Sequence, residues 1–285
     1  MILVSLKGGL GNQMFQYACG RAISLRHAQT LKLDLSGFDH AMKSDTPRMY
    51  GLDSWNIVES IATPDEIRKA KYPLGIVTKV LRFLRKKILR RFYVPFVPWI
   101  VRFRHNGYLE GFFQDERYFA DFADEIRKDF TPKNPLSQKS ASMLEEIRSD
   151  ERSLSIHVRR GDYATTASAE FPTLPPSYYK DALAYVKDRI PDARAYVFSD
   201  DIEWAKKNLE LPADAIFVSS PNTPHFEEIV LMSACRHHII ANSTFSWWGA
   251  WLNPLPDKIV VAPKQWSRKH ASWYKDITPP TWIRL

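Results

Sequence analysis

Leu154-Ser155-Ile156-His157-Val158-Arg159-Arg160-Gly161-Asp162-Tyr163 decides how the rest of this chain is read. A short apolar run reads as a buried strand. It breaks off into a histidine, two adjacent arginines, a glycine and an aspartate. Guanidinium groups are planar forks of donors that match phosphate oxygens, so a pair of them at a strand end reads as a site for a polyanion. A surface Arg–Asp network is the competing reading of the same residues.

Outward from this strand, β-rich runs recur at 195–198, 215–218, 238–241 and 258–262. Helical segments separate them at 178–189, 201–209, 225–234 and 243–252. Strand and helix in alternation argue for a parallel, Rossmann-type sheet, in which ligands sit beyond the carboxyl ends of the strands. The polar residues comply: His157 to Asp162 follow the first strand, Ser199-Asp200-Asp201 the second, and Asn242-Ser243-Thr244 the fourth. Three strand ends converging on one crevice favour the functional reading over the surface network.

The first half opens the same way. A strand at 2–6 leads into Gly8-Gly9-Leu10-Gly11-Asn12-Gln13, then a helix to about residue 25 and a second strand at 30–35. Pro132 and Pro135 interrupt the pattern. The expected organisation is two α/β domains, 1–135 and 136–285, facing each other across a cleft.

Composition sets the bounds. The 285 residues are 45% hydrophobic and 25% charged, enough for one large or two medium globular domains. The net charge of +8 is regional: twelve Lys or Arg and no acid fall between Glu66 and Glu110, and the remainder is close to neutral. The basic excess lies away from the crevice motifs and shows no RNA-binding signature, which argues against a nucleic-acid partner. Within it, 80–92 reads as an amphipathic basic helix. That helix is either a solvated face or a peripheral contact with an anionic membrane. Two cysteines, Cys19 and Cys235, make no disulfide framework and fit a reducing compartment. The N-terminus reads as a first strand and not a signal peptide, and no run approaches the length of a membrane span. The expectation is a cytoplasmic protein, with or without contact to the inner membrane face.

The remaining motifs narrow the chemistry. The glycine turn lets backbone approach a ligand and feeds a helix N-terminus that attracts anions. Asn12 reads as a donor to a phosphate or sugar oxygen, or as a helix N-cap. In Asn242-Ser243-Thr244-Phe245-Ser246-Trp247-Trp248-Gly249-Ala250-Trp251, small hydroxyl residues precede a Trp-rich helix, a setting for a phosphate. The tryptophans themselves read as core. Asp200 and Asp201 resemble a metal-binding pair, yet a carboxylate after a Rossmann strand more often accepts from a base or ribose. Arginines can neutralise a diphosphate without a divalent ion, so no metal is expected. His225, His237 and His238 lack the spacing of a zinc site.

With three such motifs in this order, the chain resembles the family-11 glycosyltransferases, the α-1,2-fucosyltransferases of the fucosyltransferase superfamily. The matching pieces are the stretch from Gly8 to Ala18, His157 to Tyr163 and Asn242 to Leu252, with Gly111-Phe112-Phe113-Gln114 as a weaker fourth. The resemblance implies a GT-B fold, with an acceptor-side N-terminal domain and a C-terminal domain that binds GDP-fucose. It implies transfer of L-fucose from GDP-β-L-fucose, with inversion and without a metal or other cofactor, to a galactose-terminated glycan. Carried over by position, Arg159 would hold the β-phosphate, and Gly11 and Asn12 would face the diphosphate–sugar junction. His157 and Arg160 would contact the GDP moiety. Ser243, Thr244 and Phe245 would line the phosphate side, and Asp200 and Asp201 would read guanine or ribose. The base for the acceptor hydroxyl stays open among Asp162, Glu110 and Asp115. The alternatives are α-1,6 or other O-fucosylation and a non-catalytic nucleotide-sugar-binding protein.

Overall fold

Two parallel sheets carry the chain, one in each of two units, Met1–Thr131 and Pro132–Leu285. The structure is a computed structural model that describes residues 1–38, 48–75, 78, 96–102, 107–165 and 169–285. The basic helix expected at 80–92 lies outside the described residues.

In the first unit, β1 (Ile2–Ser5) leads into α1 (Leu10–His27) and β2 (Leu31–Asp34). After α2 (Pro64–Lys71) and α3 (Pro98–Val101) come β3 (Gly107–Leu109) and α4 (Ala123–Asp129). The strand order is β2-β1-β3, and every residue of β1 is buried. A central parallel strand is covered on both faces, which is why Ile2-Leu3-Val4 is uninterruptedly apolar.

The turn from β1 to α1 needs Gly8, whose φ of +81° belongs to the left-handed region that favours glycine. Two glutamines fasten it. Gln13 donates through Nε2 to the carbonyls of Gly8 and Met49, each at 2.9 Å, and accepts from the Gly51 amide at 3.0 Å. Gln16 accepts from the Lys7 amide at 2.9 Å. The N-cap reading of Asn12 is corrected: Gly9 is the N-cap. The Asn12 amide already donates to the Gly9 carbonyl at 2.9 Å, so Asn12 stands inside the first turn, too late in the chain to cap it.

The second unit begins with α5 (Gln138–Ser149), β4 (Ser153–Val158), α6 (Pro176–Lys187), β5 (Arg194–Ser199), α7 (Ile202–Asn208) and β6 (Ile216–Phe217). It continues through α8 (His225–Ala234), β7 (His237–Ile239), α9 (Thr244–Leu252), β8 (Val260–Ala262) and β9 (Ile283–Arg284). The order is β6-β5-β4-β7-β8-β9, and all pairings are parallel. The chain fills one side of β4, returns along α8, and fills the other side. The strand order therefore reverses between β4 and β7, where open α/β sheets hold their ligands. Leu154, Ile156, Val158, Val197, Ile239 and Val261 form the core with Ala182 and Val186 of α6. Trp247, Trp248 and Trp251 are buried, and Trp247 donates from its indole to the Ile277 carbonyl at 2.7 Å. They are core, as their apolar context suggested.

The two units meet between Thr131 and Pro132. Thr131 is tied into the first unit, accepting from the Asn56 amide on its carbonyl and from Asn56 Nδ2 on its hydroxyl, both at 3.0 Å. Ser137 is tied into the second, donating from its amide and hydroxyl to Glu227 at 2.8 and 2.6 Å. No helix among the described residues is long and apolar enough to cross a membrane.

A buried polar chain runs through the second sheet. Asn253 Nδ2 donates to His238 Nε2 at 2.9 Å, so the ring proton sits on Nδ1 and donates to Ser155 Oγ at 2.8 Å. Burial, with Lys258 nearby, holds His238 well below the usual histidine range. Burial, with Arg159 nearby, pushes His157 down to about 3. Both side chains fold as neutral rings, whereas the unfolded chain protonates them near pH 6.5. Their contribution to stability is complete above that value and is lost as pH falls, at about 1.4 kcal/mol per pH unit for each ring. In urea unfolding between pH 7 and 5, His238→Gln should lose less stability on acidification than wild type, by about 1.4 kcal/mol per pH unit below the unfolded histidine pKa. Equal slopes in wild type and His238→Gln would refute it.

Candidate functional site

The carboxyl ends of β4, β5 and β7 bring one cluster together. Arg159, just past β4, lies between two carboxylates: Nη2 donates to Asp162 Oδ1 at 2.5 Å, and Nη1 reaches Asp200 Oδ2 at 2.7 Å. Its guanidinium carbon is 5.5 Å from the centre of the Tyr163 ring. Burial opposes the charge, but Asp200 and Asp162 together outweigh it and hold Arg159 protonated. A guanidinium has five N–H donors, so three remain for a ligand after these two bonds.

Arg160 turns the other way. Its amide donates to Asp200 Oδ1 at 2.8 Å and its Nε to Asp201 Oδ2 at 3.2 Å, with the guanidinium 4.0 Å from the centre of the Trp204 ring. Gly161 makes the packing possible, because a Cβ there would stand 2.5 Å from Asp200 Oδ2. Asp201 also caps α7, accepting from the Trp204 amide at 3.1 Å. Ser199 supports the turn from both ends: its hydroxyl accepts from the Asp201 amide at 2.9 Å, and its amide donates to Ser219 Oγ at 3.0 Å.

On the β7 side, Ser243 caps α9, accepting from the Phe245 amide at 3.3 Å, and Thr244 opens the helix half-exposed. The Phe245 ring packs between His157 at 5.7 Å and His225 at 6.1 Å. His157 Nδ1 and Asn242 Oδ1 are buried and meet no partner among the described residues. Native structures rarely leave such atoms unbonded, and a ligand at the strand ends is one means of satisfying them. Asn242 is otherwise fastened, donating to the carbonyls of Pro172 and Trp266 at 3.0 and 3.1 Å.

The structure thus gathers His157, Arg159, Arg160, Asp162, Asp200, Asp201, Ser243, Thr244 and Phe245 at the strand reversal of the second unit. Asn12 and Gly11 belong to the first unit, at the carboxyl end of β1. There Gln114 Nε2 donates to Asn12 Oδ1 at 2.7 Å, while Gln114 Oε1 is buried and meets no described partner. Asp115, a candidate base, is instead buried against Arg117, accepting from its amide at 2.9 Å and its Nε at 2.8 Å. Among the described residues no three His, Cys, Asp or Glu side chains converge as metal ligands.

Three contributors escaped the sequence reading. Trp204 underlies Arg160, and Tyr163 faces Arg159 while donating to the Asn242 carbonyl at 3.2 Å. Glu228 of α8 shares the Asp200 neighbourhood. Burial, with the Asp200 charge adding to it, pushes its carboxyl up to about 7 against a bond from Ser219. The Asp-x-x-Trp spacing at 201–204 was the available signal for Trp204, since an N-cap and the third helical residue lie one turn apart. Nothing local marks Glu228.

The fold is that of GT-B glycosyltransferases, with two Rossmann-like units. The solved structure of fucosyltransferase NodZ from Bradyrhizobium matches 89% of this chain and 93% of its own with a TM-score of 0.52, at 12% identity. Sequence comparison goes further. An α-1,2-colitosyltransferase of Escherichia coli is 34% identical over 296 residues, covering 100% of this chain and 99% of the relative. The O-antigen biosynthesis glycosyltransferase WbnK of Escherichia coli is 32% identical over 98% of this chain and 99% of its own. Human galactoside α-(1,2)-fucosyltransferase 1 is 26% identical over 50% of this chain and 42% of its own. The profile of glycosyl transferase family 11 covers residues 87–285. The chain belongs to glycosyl transferase family 11, and it is a glycosyltransferase.

Proposed function

We propose that this glycosyltransferase moves L-fucose from GDP-β-L-fucose to a galactoside hydroxyl of an oligosaccharide or surface glycan, inverting the anomeric carbon to form an α-1,2 linkage. The supporting observation is the Arg159–Arg160 pair at the carboxyl end of β4, whose neighbour β7 leads into the N-terminus of α9 at the strand reversal. Cleavage of a glycosyl phosphate leaves negative charge on the nucleotide and an oxocarbenium-like sugar, so the main catalytic task is stabilising the departing diphosphate. The spare N–H groups of Arg159, the first-turn amides of α9 and the Thr244 hydroxyl suit that task. Asp162 and Asp200 position the Arg159 guanidinium. The buried neutral His157 faces the nucleotide, and Asp200 with Glu228 supplies acceptors for ribose or guanine N–H and O–H groups. In the N-terminal unit, the Asn12 amide, oriented by Gln114, takes a sugar or phosphate oxygen, and that unit serves the acceptor.

A second donor, GDP-colitose, is favoured by the full-length similarity to the α-1,2-colitosyltransferase. The test offers the purified chain each GDP-sugar with a galactose-terminated acceptor and determines the product linkage. An α-1,2 product from GDP-fucose supports the proposal. Transfer from GDP-colitose alone selects the second donor, a 1,6 linkage selects the other fucosylation, and binding without turnover selects the non-catalytic reading. Activity is expected to persist in excess EDTA, because Asp200 and Asp201, the carboxylates placed like a cation-binding pair, already hold the two arginines. Abolition by EDTA with recovery on Mn²⁺ or Mg²⁺ would make them metal ligands instead.

A further inference from the structure

The two arginines of the motif are held in different ways. Both terminal nitrogens of Arg159 bond a carboxylate. Those of Arg160 bond none of the described residues, although the side chain is only 22% exposed and is fixed on two sides. Trp204 covers one face of its guanidinium at 4.0 Å, and Asp201 takes its Nε edge at 3.2 Å. The two restraints come from one turn of helix: Asp201 caps α7 through Oδ1, which sets Trp204 three residues on, and Asp201 Oδ2 is left to bond Arg160. A guanidinium stacked on a ring and bonded at Nε keeps its fork of terminal N–H groups in one plane and one direction. Little orienting entropy is then lost when an anion arrives.

We infer that Trp204 is a positioning residue that holds Arg160 as a pre-set fork for the diphosphate of the nucleotide donor. This rests on the donor reading above. The competing role of Trp204 is packing alone, since it also lies against the apolar core of the unit. Trp204→Leu keeps apolar bulk and removes the π face, whereas Trp204→Phe keeps a ring.

The experiment is calorimetric titration of GDP and of inorganic pyrophosphate into wild type, Trp204→Leu, Trp204→Phe, Arg160→Met and the Trp204→Leu/Arg160→Met double variant, with steady-state kinetics and thermal melts on each. Trp204→Leu should weaken both ligands by roughly 3- to 30-fold, the range of a cation–π contact. It should lower kcat/KM by a similar factor, with the parallel loss of GDP and pyrophosphate affinity marking the defect as one of diphosphate binding. Trp204→Phe should recover most of the affinity. In the Arg160→Met background, Trp204→Leu should cost nothing more, because the residue acts through Arg160. Equal GDP affinity in Trp204→Leu and wild type overturns the inference, as do additive losses in the double variant or losses that only track the melting temperature. A loss confined to GDP, with pyrophosphate unchanged, moves the fork to the nucleoside and overturns the diphosphate assignment. A wild type that binds no GDP rejects the donor reading itself.

Discussion

Arg159→Lys should lower turnover on the order of 100-fold or more while the far-UV circular dichroism stays unchanged. The size follows from counting donors. Arg159 bonds Asp162 and Asp200 and keeps three further N–H groups for phosphate oxygens, all in one plane. An ammonium has three donors in total. If lysine satisfies the two carboxylates, one donor is left for the diphosphate, and the two-pronged geometry is gone. The loss should fall on kcat, because the charge on the leaving group is greatest in the transition state. The variant conserves charge, so plain electrostatic attraction of the donor should survive. Near-normal turnover in Arg159→Lys would remove Arg159 from leaving-group stabilisation and shift attention to Arg160.

Gly161→Ala should lower kcat/KM by about 10- to 100-fold, the scale of one lost charge-assisted hydrogen bond. The new Cβ would stand 2.5 Å from Asp200 Oδ2, the oxygen that Arg159 Nη1 reaches at 2.7 Å. Asp200 would have to swing away, and its other oxygen would then leave the Arg160 amide, which it accepts from at 2.8 Å. One methyl group therefore disturbs both arginines through Asp200, while meeting Arg159 Cζ only at an ordinary contact distance of 3.9 Å. Asp200→Asn makes an independent comparison, since it keeps the volume and weakens the same two contacts. If Gly161→Ala retains wild-type kcat/KM, the position of Asp200 is not what orders the arginines.

Much of this architecture is legible in the chain itself. The strand and helix alternation from 154 to 262 is written in short β-rich runs and amphipathic segments, and the elements form within a few residues of where that pattern places them. The cluster at the strand ends was legible because parallel topology forces every strand to deliver its following loop to the same edge. The glycine turn at Gly8 was legible as well, since few other residues tolerate its backbone angle. Some elements left no local trace. β9 is only Ile283–Arg284 and exists because β8 offers it a free edge. β3 is only Gly107–Leu109 and is fixed by its parallel pairing with β1. Asn12 read equally well as a cap, and only the Gly9 carbonyl and Gln114 separate the roles.

The sequence by itself determined the fold class and most of the side chains delivered to the strand ends, because periodicity and residue type are local properties that survive without coordinates, and its motifs carried the family resemblance. Tertiary structure alone decided how those side chains divide the work. Arg159 and Arg160 are neighbours with one chemistry, yet one is enclosed by Asp162 and Asp200 and the other is stacked on Trp204 with an open fork. Asp200, Asp201 and Trp204 lie some forty residues further along the chain and reach the arginines only because β4 and β5 pair in register, Val158 opposite Ser199. No pattern within a window of residues encodes that register. It is fixed by the packing of two buried strands, and with it which carboxylate meets which guanidinium.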